Sequence, residues 1–465
     1  MRRIISMRKR MRFISKRRKE HKSKHYKDLI SGLPDEILVS VVSHLGIREA
    51  ASTCVLSKRW ERLWSFNRVL NFDALQTIFE LEMNEELLEV ERSRYISWVN
   101  KVLESHRGST IDEFRVSFYL NISSSCVIDR WIEFAIAKCV QRLEMDFEPC
   151  TLSAEAAGIA YTFPNQSYIH IKSPAGLSSI RSLRSLCFKR VNISGEILEY
   201  FLSNCPLLES LLVESSEHLV NFKVIGSSLR LKFLEISFCP NLMGLEVCAT
   251  SLVSFKYFGL RQRVNMQIKD AFQLAELSIS NHIDPIDSAF FPFSSYFSQL
   301  ETLSFGMDLS RWKRGNRGLK QLPEFTKLKQ LTLEVIADES TSILGWTTLI
   351  NASPSLHKLK LKLCYWGPRA YVERKLPKVC DRPLQCLKEV ELAGFVGCLV
   401  DLELAQYLIK NAVRLERIII DRHCTHILGI PRPWMFMETE KKEYAREQAI
   451  QLQKSLPARV KMDII

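Results

Sequence analysis

Glycine and proline are scarce, 17 and 16 residues in 465, so long flexible or polyproline spacers are not expected. Long apolar runs are missing too. A membrane helix needs roughly 20 consecutive apolar residues, and the closest stretch, Leu392 to Val400, is short and broken by Gly394 and Gly397. No membrane partner is expected. The 13 cysteines are odd in number and never form a CxxC pair, which suits reduced core residues of a nuclear or cytosolic chain better than a disulfide framework. There is no GxGxxG, no GxxxxGK and no GxSxG elbow, so dinucleotide binding, phosphate cradling and that form of nucleophilic catalysis have no sequence support. His423 and His426 flank Cys424, but a structural zinc site takes four ligands and no second pair accompanies them. Cys380 and Cys386 carry as little weight. No catalytic residue, metal or cofactor is expected.

The formal net charge of +13 is unevenly placed. Residues 1–27 hold thirteen Lys or Arg against Glu20, a net +12, which leaves 13 − 12 = +1 for the remaining 438 residues. A basic tail on a neutral body differs from a basic protein, so nucleic-acid binding is disfavoured. The tail reads as a nuclear-import patch centred on Lys16-Arg17-Arg18-Lys19, an organelle-targeting helix, or a solvated extension.

Length argues for several domains or an elongated array. Residues 28–73 predict three short helices. Pro34, Asp35 and Glu36 mark a helix start. Ile37, Leu38, Val41, Val42 and Leu45 then recur at helical spacing before Gly46. A second helix is expected near Arg48–Val55, and a third from Ser57 with Trp60, Leu63 and Trp64 on one side. The apolar residues outnumber what so small a unit can bury, which suggests a docking patch; Trp60 and Trp64 serve equally as core.

The segment LPDEILVSVVSHLGIREAASTCVLSKRWERLWS resembles the F-box of plant F-box/leucine-rich-repeat proteins. Leu33-Pro34-Asp35, Ile37-Leu38, Leu45 and Val55-Leu56-Ser57-Lys58-Arg59-Trp60 occur at that family's spacing. The resemblance implies docking on a Skp-type adaptor, and through it indirect association with cullin and RING subunits. The adaptor contacts it implies are Leu33, Pro34, Asp35, Ile37, Leu38, Val41, Leu45, Val55, Leu56, Ser57, Trp60 and Trp64. Gly46-Ile47 replaces the family's usual Pro–Thr-like pair, and a looser turn is expected there.

Residues 74–105 predict a helical linker or cap. Beyond it one phrase returns, apolar-x-x-apolar-x-apolar. Leu183-Leu186-Phe188, Leu208-Leu211-Val213 and Leu231-Leu234-Ile236 are early copies; Leu356-Leu359-Leu361, Leu387-Val390-Leu392 and Leu415-Ile418-Ile420 are late ones. Ten clear copies start 21 to 31 residues apart, the leucine-rich-repeat period. Ile111-Phe114-Val116 and Val140-Leu143-Met145 look degenerate. Each phrase supplies a strand that cannot bury its face without the next turn. The fold class expected is α/β: a three-helix module, then a curved solenoid over 106–385 with a parallel sheet inside and helices or turns outside. Residues 386–465, through LKEVEL, Gly394-Phe395 and DLELAQYLIKNA, resemble the FBD module that ends many plant F-box proteins and should continue the solenoid.

The resemblances together imply a non-catalytic substrate receptor of an SCF-type (Skp–cullin–F-box) ubiquitin ligase, holding an unknown protein substrate. The alternatives are a protein-interaction scaffold outside a ligase and a nucleic-acid-associated protein using the tail. For the substrate, Lys358, Lys360 and Lys362 would line positive charge along one strand face, suited to an acidic partner or to plain solubility. Arg311, Trp312 and Arg314 form a basic loop around an anchor-like Trp. The expected location is nucleus or cytoplasm.

Overall fold

The computed structural model describes residues 29–30, 32–74, 85–147, 159–164, 180–226, 228–259, 264–281, 291–308, 324–337, 343–344, 347–365, 383–422, 426–427, 430–431 and 439–465. The chain divides into two compact units, 1–67 and 68–465.

In the first unit, α1 (Asp35–Val42), α2 (Ile47–Ser52) and α3 (Trp60–Leu63) fold around a small core. Pro34 immediately precedes α1, and Asp35 and Glu36 lie in its first turn, where the helix dipole favours acids. Leu38 and Val42, four residues apart and so on one helix face, pack with Ala50, Trp60 and Leu63, while Val39 and Trp64 lean on the cluster. Gly46 caps α2 in an extended conformation and its carbonyl accepts from Ala50 N at 2.8 Å. Ile47 is buried, so the unusual Gly-Ile turn is an ordered helix start.

The second unit is built on one parallel sheet of 14 strands. It begins with β1 (Val69–Asp73), α4 (Glu85–Ser105), β2 (Glu113–Ser117), α5 (Ser125–Ala137), β3 (Arg142–Asp146) and the short β4 (Tyr161–Thr162). There follow β5 (Ser185–Lys189), β6 (Val191–Asn192), α6 (Gly195–Asn204), β7 (Ser210–Glu214), β8 (Asn221–Ile225), β9 (Phe233–Ser237), β10 (Gly244–Cys248) and β11 (Ser254–Gly259). Next come β12 (Asn265–Lys269), β13 (Glu276–Asn281), β14 (Thr302–Asp308), β15 (Gln330–Ala337), α7 (Thr347–Asn351) and β16 (Lys358–Tyr365). The last elements are β17 (Glu389–Ala393), α8 (Leu399–Asn411), β18 (Arg417–Asp421), β19 (His426–Ile427), β20 (Ile430–Pro431), α9 (Thr439–Lys454) and β21 (Lys461–Ile464). The main sheet takes β1, β2, β3, β5, β7, β9, β11, β13 to β18 and β21 in that order.

Two apolar positions per strand stack without a break. One ladder runs Leu70, Phe114, Leu143, Leu186, Leu211 and Leu234, and reaches Ile418 and Met462 at the far end. The other passes through Phe72, Val116, Met145, Phe188 and Val213 to Ile420 and Ile464. The leading residue of each phrase, Leu183 to Leu415, is buried as well. Because side chains alternate along a strand, the second and third apolar residues of each phrase point together into the core, and the leading residue is buried from the turn just before the strand. Burying a Leu, Ile or Phe fully contributes about 1.5–3 kcal/mol, and each copy does so only because its neighbours are in register.

Ile111 and Val140, read as leading degenerate copies, head full strands. Val69–Asp73, grouped at the sequence level with the helical module, is instead the first strand of the sheet. Over it α4 lays Tyr95 and Trp98: Phe72 and Trp98 meet edge to face at 5.2 Å, Tyr95 stacks on Phe118 at 4.4 Å, and Tyr95 Oη donates to the Phe72 carbonyl.

The outer connections are helices over much of the array, as expected, but differ between β7 and β13. Between β7 and β13 the phrases are only 21 to 23 residues apart, too few for a strand, a helix and two turns. The return segments there are strands β8, β10 and β12, which pair in parallel as a second sheet. Gly195, the first residue of α6, fits against this sheet: a Cβ there would lie 1.8 Å from the Asn221 carbonyl oxygen. After β5, β7 and β9 the chain turns through Arg190, Ser215 and Phe238, each at positive φ. Their N–H groups donate to Glu214, Ser237 and Phe258 carbonyls on the next strand at 2.7 to 2.9 Å.

Candidate functional site

The helical module exposes a set of apolar side chains that its core does not use. Ile37 and Val41 are each 49% exposed on α1, one position round from the buried Leu38 and Val42. Leu33 and Leu45 bracket the helix and are exposed. Val55 and Leu56, between α2 and α3, are 83% and 64% exposed. Pro34 and Ser57 are exposed too. That many exposed apolar side chains on so small a unit is the kind of surface a docked partner would cover.

The entry segment is held in place from a distance in sequence. Arg59 Nη2 lies 2.6 Å from Asp35 Oδ1, Nε donates to the same oxygen at 2.7 Å, and Nη2 also donates to the Leu33 carbonyl. The guanidinium fork therefore fixes both the backbone before Pro34 and the first acid of α1. Asp35, expected as an adaptor contact, already has this intramolecular partner. Ser57 Oγ accepts from Trp60 N at 3.4 Å, which starts α3.

Two expected contacts are corrected. Leu38 is fully buried and Trp60 is 8% exposed; both are members of the module's own core. Helical geometry explains it: Leu38 and Val42 share the face turned inward, and Trp60 and Leu63 meet them from α3. Trp64 is half-buried against the same cluster.

On the sheet, the lysine row of β16 is not a free positive face. Lys358 pairs with Glu389 at 2.7 Å, Lys360 with Glu391 at 2.5 Å and Lys362 with Glu334 at 2.5 Å. All three glutamates are the register partners of those lysines on β15 and β17. The expected attraction for an acidic partner is thus replaced by cross-strand neutralisation, which sequence spacing within one strand cannot reveal. Arg311, Trp312 and Arg314 lie outside the described residues, as do the basic tail, Cys380, His423 and Cys424. Among the described residues no group of three or more His, Cys, Asp or Glu side chains could hold a metal ion, and no helix is long and apolar enough to cross a membrane.

The thiols divide sharply. Burial pushes Cys205 and Cys239 up to about 12, and Cys187 is raised as well, first by burial and then by the nearby Glu144. Cys54 and Cys126 are exposed.

Comparison with known proteins agrees with this anatomy. The F-box domain family matches residues 30–72, and the leucine-rich-repeat family described by the At1g61320/AtMIF1 domain matches residues 102–455. A putative F-box/FBD/LRR-repeat protein of Arabidopsis thaliana is 26% identical over 420 residues, 84% of this chain and 92% of the relative. A putative FBD-associated F-box protein from the same organism is 22% identical over 423 residues, 84% and 90% of the two chains. An F-box/LRR-repeat protein, also of Arabidopsis thaliana, is 30% identical over 246 residues, and that match spans about half of each chain, 50% and 52%. An F-box implies binding to a Skp-type adaptor. The chain belongs to the plant F-box/leucine-rich-repeat family of the FBD-associated kind.

Proposed function

We propose that this chain is the substrate-recognition subunit of an SCF-type ubiquitin ligase, a non-catalytic part of that assembly. The observation that carries the reading is the exposed apolar set on the helical module, Leu33, Ile37, Val41, Leu45, Val55 and Leu56, in a chain whose other unit is a repeat solenoid. The module engages the Skp-type adaptor and, through it, cullin and RING subunits. The solenoid retains a protein target. The gain is positional: tethering raises the effective concentration of the target's lysines near the charged conjugating enzyme. Residues 386–465 form the FBD-like end of the solenoid in this reading. The chain acts in the nucleus or cytoplasm, with Lys16-Arg17-Arg18-Lys19 as import signal; a reporter fusion with and without residues 1–27 tests that address.

The direct experiment is reconstitution. Full-length chain, adaptor, cullin–RING and conjugating enzyme are combined, and complex formation is followed by size-exclusion chromatography. Stable co-elution with the adaptor is expected, followed by cullin recruitment. A folded chain that binds no Skp-type adaptor would remove the ligase reading.

A further inference from the structure

The face of the main sheet that turns away from the apolar ladders changes character along the array. On β16 every lysine has a glutamate partner. On β3, β5, β7 and β9 the same face carries four acids, Glu144, Asp146, Glu214 and Glu235, against two bases, Arg142 and Lys189. Arg142 pairs with Glu113 on β2 at 3.1 Å, Lys189 lies 3.4 Å from Asp146, and Glu144 lies 3.1 Å from Arg115. Glu235 differs from these. Its carboxylate accepts from Ser237 Oγ at 3.1 Å, and among the described residues no cation pairs with it. Lys256, its register partner on β11, is held by Glu276 at 3.2 Å.

Two residues earlier on β9, Phe233 is 48% exposed. Among the described residues it is the one large apolar side chain on the strands of the main sheet that is exposed. Leu234 and Ile236 occupy the core ladders, so alternation puts Phe233 and Glu235 together on the other face, roughly 7 Å apart along the strand. The register partners of Phe233 are Ser210 and Ser254, too short to cover a phenyl ring. The surface beside it stays accessible: Ser185, Cys187, Ser210 and Leu212, in register on β5 and β7, are half-buried rather than covered.

We infer that Phe233 and Glu235 seat an arginine of the protein target, its guanidinium lying on the phenyl ring and forking onto the carboxylate; this deepens the receptor reading above and rests on it. A residue next to that arginine packs over Leu212 and Cys187. The guanidinium is planar and weakly hydrated, stacks on aromatic faces and matches a carboxylate with paired donors. A lysine ammonium is compact and strongly hydrated, and makes only the charge contact well. An acidic segment is repelled by the surplus of acids. A segment with no cation would cover Glu235 and leave its charge unpaired. The Cys187 thiol beside the seat is raised, first by burial and then by Glu144, which agrees with a negative field over these strands.

The test uses the full chain in complex with its adaptor as bait for a displayed library of random short peptides. Selected peptides, and copies with each arginine exchanged for lysine, are measured by fluorescence anisotropy against the parent, Phe233→Ala, Glu235→Gln and a control on the second sheet, Lys223→Glu. Thermal melts matched to the parent exclude unfolding, and Glu235→Gln serves if Phe233→Ala does not fold. Expected are arginine-bearing peptides whose affinity falls about tenfold or more in Phe233→Ala and in Glu235→Gln and is unchanged in the control. The lysine copies should bind more weakly than the arginine originals. Selected peptides without arginine, peptides indifferent to both seat substitutions, lysine copies that bind as well as the originals, or no selected peptide at all while the adaptor still binds would overturn the seat and leave the receptor reading standing. Loss of adaptor binding by the parent chain would remove both.

Discussion

Arg59 reaches back 24 residues to clasp Asp35, with Nε and Nη2 on one carboxylate oxygen at 2.7 and 2.6 Å, and it bonds the Leu33 carbonyl as well. The LPDEIL segment and the SKRW segment are therefore one local structure rather than two adjacent motifs. An exposed ion pair contributes about 1 kcal/mol or less, and Asp35 is well exposed, so the bond to the Leu33 carbonyl is the larger part. Arg59→Ala is expected to weaken adaptor binding by about 1 kcal/mol, roughly fivefold in Kd, and Asp35→Asn by less. Isothermal titration with the purified adaptor measures both. Unchanged affinity in Arg59→Ala would mean that the turn before Pro34 holds itself.

The two faces of α1 separate docking from folding. Ile37→Glu with Val41→Glu places charge on exposed positions and should abolish adaptor co-purification while the circular dichroism spectrum stays native. Leu38→Ala removes a fully buried side chain and should cost about 2–5 kcal/mol of module stability, so its adaptor defect would accompany unfolding. If Leu38→Ala lost binding with the module's melting temperature intact, the placement of Leu38 in the core would be wrong.

Much of this was legible in the sequence, and the exceptions have physical causes. The phrase Leu-x-x-Leu-x-Leu located ten strands because each apolar position serves the core in every turn. The first strand escaped because its leading position is polar: buried Asn67 stands where other turns carry Leu. The last strand, with Met462 and Ile464 in the ladders, has Arg459 at that position. Strands β8, β10 and β12 have shorter alternation, and only the contracted spacing from Leu208 to Leu274 hinted at them. In the helical module, spacing gives the helices but not which neighbour of each apolar pair faces inward, and the family resemblance that implies Leu38 and Trp60 as contacts does not separate core from surface either. The lysine row misled for a simpler reason. Glu389 and Glu391 lie about thirty residues beyond the lysines they neutralise, and only the register brings them together.

Cysteine reactivity offers a footprint of adaptor docking. Thiolate is the reactive form, and burial holds Cys205 and Cys239 up to about 12, so at pH 8 almost none of either thiol is ionised. Cys54 and Cys126 are exposed, the first beside Val55 in the helical module and the second on α5. Brief iodoacetamide treatment of the native chain should label Cys54 and Cys126 and spare Cys205 and Cys239, as read by peptide mass spectrometry. Addition of the adaptor should protect Cys54 alone. Equal labelling of Cys54 with and without adaptor would argue against docking through the Val55–Leu56 corner.

Gly195 tests the second sheet. Its missing Cβ is what lets the start of α6 approach β8, since an added carbon would meet the Asn221 carbonyl oxygen at 1.8 Å. Gly195→Ala should therefore destabilise the solenoid by about 1–3 kcal/mol, against the usual gain from replacing a helical glycine. A thermal melt of the full chain gives the sign directly, and a raised melting temperature would refute this packing.

The lysine row of β16 should act on stability and leave target capture alone. Lys360 and Glu391 are both largely shielded, 32% and 16% exposed at the side chain, so their pair is worth more than a free surface pair but remains partly screened. Lys360→Met is expected to lower solenoid stability by about 1 kcal/mol, and Glu391→Gln by a similar amount. The double variant should lose less than the sum, because each single change leaves the other charge without its partner. Urea denaturation at low and high salt measures all four states, and the coupling should shrink as salt rises. Additive losses, or a coupling indifferent to salt, would show that the two side chains do not form the ion pair on which the corrected reading of this strand depends.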